Sequence, residues 1–241
     1  MSQPASGGRI AFFGGSFDPP HLGHLAVARA ARVALGLDTV LFAPVGAQPL
    51  KPSGSTAGFE DRVAMTRLAI EDDPGFIVSL ADAPKTSGAP NYTLETLQDL
   101  KREMAPGSTL YCLMGADSFV GLQHWHCAPQ IPFVAPLIVA SRPGQPLDDL
   151  KAVLPLGLTM APAAGSDFSG SCVEGSDVEV QCYFLVNQAG DRAPFYLLPG
   201  LDVEISASLI RELARASQGG RELLPGAVAD YIRAHNLYRQ C

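Results

Sequence analysis

Short apolar runs alternate with helix-length stretches through the first half of this 241-residue chain, and that alternation leaves few folds open. Ile10–Phe13, Thr39–Ala43, Phe76–Ser79, Thr109–Met114 and Leu137–Ala140 are too short for helices. They are apolar at successive positions, as strands buried on both faces require. Helices are predicted between them over Leu22–Leu35, Phe59–Asp72 and Thr93–Met104. In the first, Leu22, Ala26, Ala30, Val33 and Leu37 recur at helical spacing, and Gly36 marks the stop. Strands that alternate with helices imply an α/β fold with a mostly parallel sheet and right-handed crossovers.

The pattern weakens after Pro143. Asp148–Leu154 reads as a short helix and Pro162–Gly175 as a loop. Val178–Val186 and Phe195–Leu198 read as strands of a hairpin joined through Gln188–Asp191. Ser206 is expected to cap a helix over Ala207–Ser217 that stops at Gly219-Gly220, and Pro225 to start a last helix reaching about His235. No internal repeat is present.

Composition excludes several classes of function. Apolar content is 47% and charged content 17%, as in an ordinary globular protein. No apolar run approaches the roughly 20 residues of a membrane span, and residues 1–8 read as a lead-in without a signal-peptide core. The net charge of −7 with no basic run argues against a nucleic-acid polymer as partner. Five scattered cysteines without a C-x-x-C pair fit reduced thiols, so the cytoplasm is the expected location. Asn91-Tyr92-Thr93 matches a glycosylation sequon, which without secretion is a chance match.

The first strand-to-helix junction carries the chemistry. It reads Gly14-Gly-Ser-Phe-Asp-Pro-Pro-His-Leu-Gly-His24. In an open α/β sheet that junction is where ligands bind, and a helix N-terminus offers unpaired N–H groups to phosphate. Gly14 and Gly15 let the backbone turn and approach a ligand, and Asp18-Pro19-Pro20 stiffens the loop. His21 and His24 lie one helical turn apart and can face one spot. Two incidental histidines at a tight turn are the plain alternative; a zinc site lacks a third ligand. The pattern G-x-F-D-P-x-H-x-G-H fixes seven positions, and at roughly 5% per position chance supplies it on the order of 10⁻⁹ per window.

These residues resemble the signature of the nucleotidyltransferase superfamily, and more closely of bacterial nicotinate-nucleotide adenylyltransferases. The resemblance continues in order along the chain. Tyr92–Leu97 is similar to the family's Y-T-x-x-T-L, and Gly115-Ala-Asp117 with Leu122 and Trp125 to its G-A-D…L…W. Arg142-Pro-Gly resembles R-P-G, Ile205–Arg211 resembles I-S-x-T-x-I-R, and Pro225 through Tyr238 resemble the closing helix. Only the region 160–195 lies outside it. The resemblance implies a Rossmann-like, doubly wound domain over 9–200 with an extra segment at 160–195. Residues 201–241 would add a phosphate-binding helix and a closing helix to the same domain, a small C-terminal helical part.

It also implies an activity: transfer of the adenylyl group of ATP to nicotinate mononucleotide, with pyrophosphate released. His21, His24 and Arg211 would be catalytic, with His24 stabilising charge at the α-phosphate. ATP would be held by Gly14, Gly15, Ser16, Phe17, Gly23, Gly115, Asp117, Ile205, Ser206 and Ser208. The mononucleotide would be held by Lys51, Tyr92, Thr93, Trp125 and Arg142. Mg²⁺ would bind through ATP phosphates and water, with no protein cage.

Each residue also has a plainer reading. Ser206 suits an ordinary helix cap, Asp117 a cap, Trp125 core packing, and Arg142 and Arg211 solvated charges. Tyr92 and Thr93 suit helix initiation. One departure stands out: Gln48-Pro49-Leu50-Lys51 replaces the family's P-P-H-K, so a histidine contact is lost and Lys51 is expected to carry more of the load. Three readings follow: this adenylyltransferase, a related adenylyl- or cytidylyltransferase with another phosphorylated acceptor, or a nucleotide sensor with weak catalysis. Monomer and homo-oligomer both remain open, as does the role of the extra segment (edge extension, lid or oligomer contact).

Overall fold

The computed structural model describes residues 7–50, 54–141, 147–168, 172–173, 176–201, 205–216 and 220–239. Among them the strands are β1 Arg9–Gly15, β2 Thr39–Pro44, β3 Phe76–Val78, β4 Thr109–Gly115, β5 Leu137–Ala140, β6 Thr159–Pro162, β7 Gln181–Val186 and β8 Arg192–Leu198. The α-helices are α1 Leu22–Leu35, α2 Phe59–Ala69, α3 Thr93–Glu103, α4 Ala116–Val120, α5 Ile131–Val134, α6 Leu147–Ala152, α7 Ala207–Ala216 and α8 Gly226–Ala234. The strand order is β3-β2-β1-β4-β5-β8-β7-β6, so the direction of winding reverses at β1, as in Rossmann-like doubly wound sheets. Among the described residues no helix is long and apolar enough to cross a membrane.

The chain divides into two compact units. One comprises Met1–Phe13, Val27–Val40 and Tyr92–Asp202. Here β1 pairs parallel with β4, β4 with β5 and β5 with β8, through Leu137↔Phe195 to Ala140↔Leu198. Leu110–Met114 and Leu137–Ala140 are buried along their whole length. This is why the short runs show no polar alternation. Phe119 packs on Phe195 with ring centroids 5.5 Å apart, and Tyr111 on Tyr196 at 6.0 Å.

The extra segment is an extension of the sheet. β7 runs antiparallel to β8 and β6 antiparallel to β7. The turn between β7 and β8 is held by Asn187, whose Oδ1 accepts from Asp191 N at 2.9 Å, while Gly190 takes φ 88. Three sequence expectations change here. β6 covers residues 159–161, assigned to no element, and ends on Pro162, read as the first residue of a loop; a 3₁₀ turn covers Gly165–Phe168 within that loop. β7 begins at Gln181 rather than Val178, and β8 at Arg192 rather than Phe195. Pro194 lies in the added stretch of β8. It is tolerated because its register partner is Phe184 on β7, outside the span paired with β5.

The buried face of α1 matches the expected spacing only in part: Ala30 and Leu37 are buried as that spacing implies, while Leu22 and Val33 are not. Leu25, Ala28, Ala31 and Leu35 are buried, whereas Val33 is 53% exposed. In a helix this rich in alanine, residue size does not mark a face, so packing selects it. Gly36 ends the helix at φ 56.

The second unit comprises Gly14–Ala26, Leu41–Asn91 and Val203–Cys241. Phe17, Phe42 and Phe76 form its aromatic core, with successive centroids 5.6 Å and 5.2 Å apart. Ser79 N donates to Phe42 O at 2.8 Å. α8 is tied to α2 by Tyr231, whose hydroxyl donates to Asp61 Oδ1 at 3.0 Å.

Candidate active site

The second unit holds the glycine loop and everything that anchors it. After Gly15 the chain turns at Phe17, which sits at φ 46. A Cβ at position 15 would lie 3.2 Å from the Phe17 ring, tighter than an ordinary contact, so a side chain there would press on the ring. The Phe17 ring is buried, packed on Phe42 and edge-on to His24 at 4.9 Å. What Phe17 offers a nucleotide is therefore its backbone. Gly23 is buried at the first turn of α1.

His21 and His24 do face one spot. Their rings are 3.7 Å apart, tilted by 32°. The backbone N–H of His21 donates to His24 Nδ1 at 3.2 Å. That nitrogen must accept, so neutral His24 carries its proton on Nε2 and presents a donor. His21 Nδ1 is buried and has no hydrogen-bond partner among the described residues. Burial pulls His21 down to about 4. Burial, then the charge of His21, holds His24 well below 6.5. Both rings are neutral at pH 7, two closely spaced groups whose protonation a nearby polyphosphate would favour.

The depressed His21 has a consequence for stability. Its unfolded-state value near 6.5 lies above the folded one near 4, so between them the unfolded chain binds more protons. Stability is unaffected above pH 6.5 and falls as pH drops through that window. From pH 6.5 to 5 the loss attributable to His21 is about 2 kcal/mol, at about 1.4 kcal/mol per unit. Urea unfolding at pH 7 and pH 5 checks this: His21→Gln should show a shallower loss than the parent protein. Equal losses would mean that His21 titrates normally.

Asp18 organises the loop. Its Oδ2 accepts from Thr56 N at 2.6 Å, and its Oδ1 accepts from Ala57 N at 3.0 Å and from the Tyr238 hydroxyl at 2.8 Å. Arg211 Nη1 donates to the Asp18 main-chain oxygen at 2.6 Å and lies 4.0 Å from Oδ2. Arg211 Nη2 donates to Ser208 Oγ at 3.1 Å. Ser206 caps α7, with Leu209 N donating to its Oγ at 3.2 Å, and Ile205 precedes it half-buried. The two phosphate-friendly segments of the sequence therefore meet in one unit, and the arginine is part of that junction.

Arg62 holds the loop from below. Its guanidinium is buried and donates to Ser16 O at 2.7 Å and Val45 O at 2.8 Å. Its pKa is lowered by burial, against which the charges of Asp18 and Tyr238 act. Ser16 Oγ donates to Gln48 Oε1 at 3.3 Å, and Leu50 is 57% exposed. Lys51 lies outside the described residues. Asn91 is buried; its Oδ1 accepts from Ala47 N and its Nδ2 donates to Ala83 O, each at 2.9 Å. An amide so engaged pins two loops and is no glycan acceptor.

The first unit carries Tyr92, Thr93 and Trp125, expected at the mononucleotide, and Gly115 and Asp117, expected at ATP. Tyr92 and Thr93 open α3, both half-buried. Tyr92 lies against His126, with centroids 4.4 Å apart at 35°. Trp125 is half-buried, not a core residue. Gly115 caps α4, and a Cβ there would meet nothing within 4 Å. Asp117 is exposed at the second position of α4 rather than at its cap. Arg142 lies outside the described residues.

Four site residues escaped sequence reasoning in these roles: the Asp18 carboxylate, Arg62, Tyr238 and His126. Asp18 reads as turn chemistry, and no sequence signal singles out Arg62. Tyr238 was legible only as part of the closing helix. His126 had one signal, its place beside Trp125.

A family model described as cytidylyltransferase-like matches residues 12–213. A protein of Stenotrophomonas maltophilia named "Probable nicotinate-nucleotide adenylyltransferase" is 38% identical over 232 residues, covering 95% of this chain and 96% of its own. Proteins of the same name from a Roseiflexus species and Geobacter metallireducens are 36% and 34% identical, each over 95% of this chain and 98% of theirs. Among solved structures, nicotinic acid mononucleotide adenylyltransferase of Plasmodium falciparum complexed with NaAD superposes with a TM-score of 0.66 at 15% identity. It covers 96% of this chain and 97% of that one. At that identity the likeness speaks for the fold.

Proposed function

This chain belongs to the cytidylyltransferase-like family, with the nicotinate-nucleotide adenylyltransferases as its relatives, and from that premise we infer that it adenylates nicotinate mononucleotide. ATP supplies the adenylyl group, and the products are nicotinate adenine dinucleotide and pyrophosphate, a step of NAD biosynthesis. The single observation that carries this reading is the junction of the histidine loop with α7. Arg211 bonds Ser208 and the Asp18 main chain in the same unit that holds His21 and His24.

A 5′-phosphate oxygen of the mononucleotide attacks the α-phosphorus of ATP. The bond from that phosphorus to the bridging oxygen breaks, and pyrophosphate leaves with the electron pair. The attacking phosphate is ionised near neutral pH, so no general base is needed. Catalysis then rests on alignment and charge stabilisation. His24, with its proton on Nε2, donates toward the α-phosphate, and His21 beside it stabilises the charge that builds there. Ser208 and Arg211 bind the departing phosphates, and the N-terminus of α1 adds N–H groups.

Mg²⁺ enters with ATP as part of the substrate. The Asp18 carboxylate is engaged by three protein donors, Thr56 N, Ala57 N and the Tyr238 hydroxyl. In the first unit, Asp117 is the candidate acceptor for ribose hydroxyls. Tyr92 and Trp125, with His126 added, are the candidate aromatic surface for the pyridine ring, with Thr93 lining the same pocket. The cytoplasm, where ATP and the mononucleotide are available and thiols stay reduced, is the location this reading supports.

Incubation with ATP, Mg²⁺ and nicotinate mononucleotide, followed by chromatography, is expected to give nicotinate adenine dinucleotide and pyrophosphate in equal amounts. The amide mononucleotide should be used with at least about tenfold lower kcat/KM. Pyrophosphate formed only with another phosphorylated acceptor would point to a sister activity. Binding of ATP with no turnover would point to a sensor.

A further inference from the structure

We propose that Tyr238 is a positioning residue for ATP, acting through Asp18 on Arg211. The inference rests on the function proposed above. After α8 the chain reverses through Asn236 at φ 52 and Tyr238 at φ 65, with Leu237 N donating to Ile232 O at 3.0 Å. Side chains rarely adopt that conformation, so the reversal is a specified feature of the fold. It brings the Tyr238 ring into a buried position with its hydroxyl on Asp18 Oδ1, 220 residues away in sequence.

The carboxylate of Asp18 lies where it could compete with phosphate for Arg211. Oδ2 is 4.0 Å from Arg211 Nη1, yet Nη1 instead bonds the Asp18 main-chain oxygen at 2.6 Å. Three donors account for this: Thr56 N, Ala57 N and the Tyr238 hydroxyl fix the carboxylate plane and draw off its charge. Two of them are backbone groups that no side-chain change removes. Among the described residues Tyr238 is the one side-chain hydrogen-bond donor on that carboxylate, so it sets how strongly Asp18 pulls on the guanidinium. Without its O–H, Oδ1 recovers a lone pair and Asp18 becomes a stronger rival to an incoming phosphate. Arg211 is then held by the protein when it should bind ligand.

The test uses the full-length protein and a non-hydrolysable ATP analogue with Mg²⁺, read by calorimetry, together with steady-state kinetics. Tyr238→Phe is expected to weaken analogue binding about fivefold, the scale of one hydrogen bond. KM for ATP should rise in parallel, and KM for the mononucleotide should not move. In an Arg211→Ala background the same change should have no further effect, since the residue it acts on is gone. Tyr231→Phe is the control: it deletes an equivalent hydroxyl that holds α8 to Asp61, and it should leave analogue binding unchanged. Unaltered binding in Tyr238→Phe, additive losses with Arg211→Ala, or an equal loss in Tyr231→Phe would each overturn the proposal while leaving the adenylyltransferase reading intact. Failure of the parent protein to bind the analogue would overturn both.

Discussion

His24→Ala is expected to lower kcat about 10²- to 10³-fold, the scale of one lost donor at developing charge. The geometry supports a loss in turnover more than in binding. Nδ1 of His24 is engaged by the His21 backbone, so the ring is oriented before substrate arrives, with its proton on Nε2 by tautomer. Such a group costs no reorganisation when charge builds on the α-phosphate. The fold should survive, since the ring is only partly buried. His24→Asn retains an N–H donor and should fall between the parent and the alanine variant. Rates of pyrophosphate release, with thermal unfolding as the fold control, decide this; unchanged turnover in His24→Ala would remove the residue from the mechanism.

Asp18→Ala should be the most damaging change to stability in the loop. It strands Thr56 N, Ala57 N and the Tyr238 hydroxyl at once. Each unpaired donor costs about 1–3 kcal/mol when buried, less where water reaches it, so a total near 4 kcal/mol is expected. For a chain of this size that corresponds to a fall of about 10 °C in Tm. Arg62 also loses the nearest negative charge that favours its buried guanidinium. Asp18→Asn keeps the shape but has one acceptor oxygen, so its cost should be about half. Calorimetric melting measures both, and a native Tm in Asp18→Ala would show that the loop is held elsewhere.

The elements that formed as read are those whose evidence is local. α1 spans Leu22–Leu35 as its spacing predicts, and β5 spans Leu137–Ala140 as its uninterrupted apolar run predicts. Both signals depend on backbone periodicity and on burial of successive residues, which neighbouring positions encode. Legibility failed where an element depends on a distant partner. β6 has little apolar pattern of its own and exists because β7 offers it a ladder. α1 buries a face that its apolar residues suggested only in part, because a stripe of alanines leaves the choice to the sheet.

In the candidate site the same division holds. Glycines, two histidines and a capped helix with serine and arginine told of phosphate chemistry before any contact was known, because those groups carry that chemistry wherever they stand. What the sequence by itself determined was an α/β chain with a polyphosphate loop at its first strand-to-helix turn. Only the tertiary structure decided that Arg211 would bond Asp18 across 193 residues and that Tyr238 would close the same carboxylate. It also made Arg62 the buried clamp on Ser16 and Val45. Partner choice of this kind depends on which side chains packing brings within hydrogen-bond reach, and on the cost of leaving any of them unpaired. Spacing along the chain records neither.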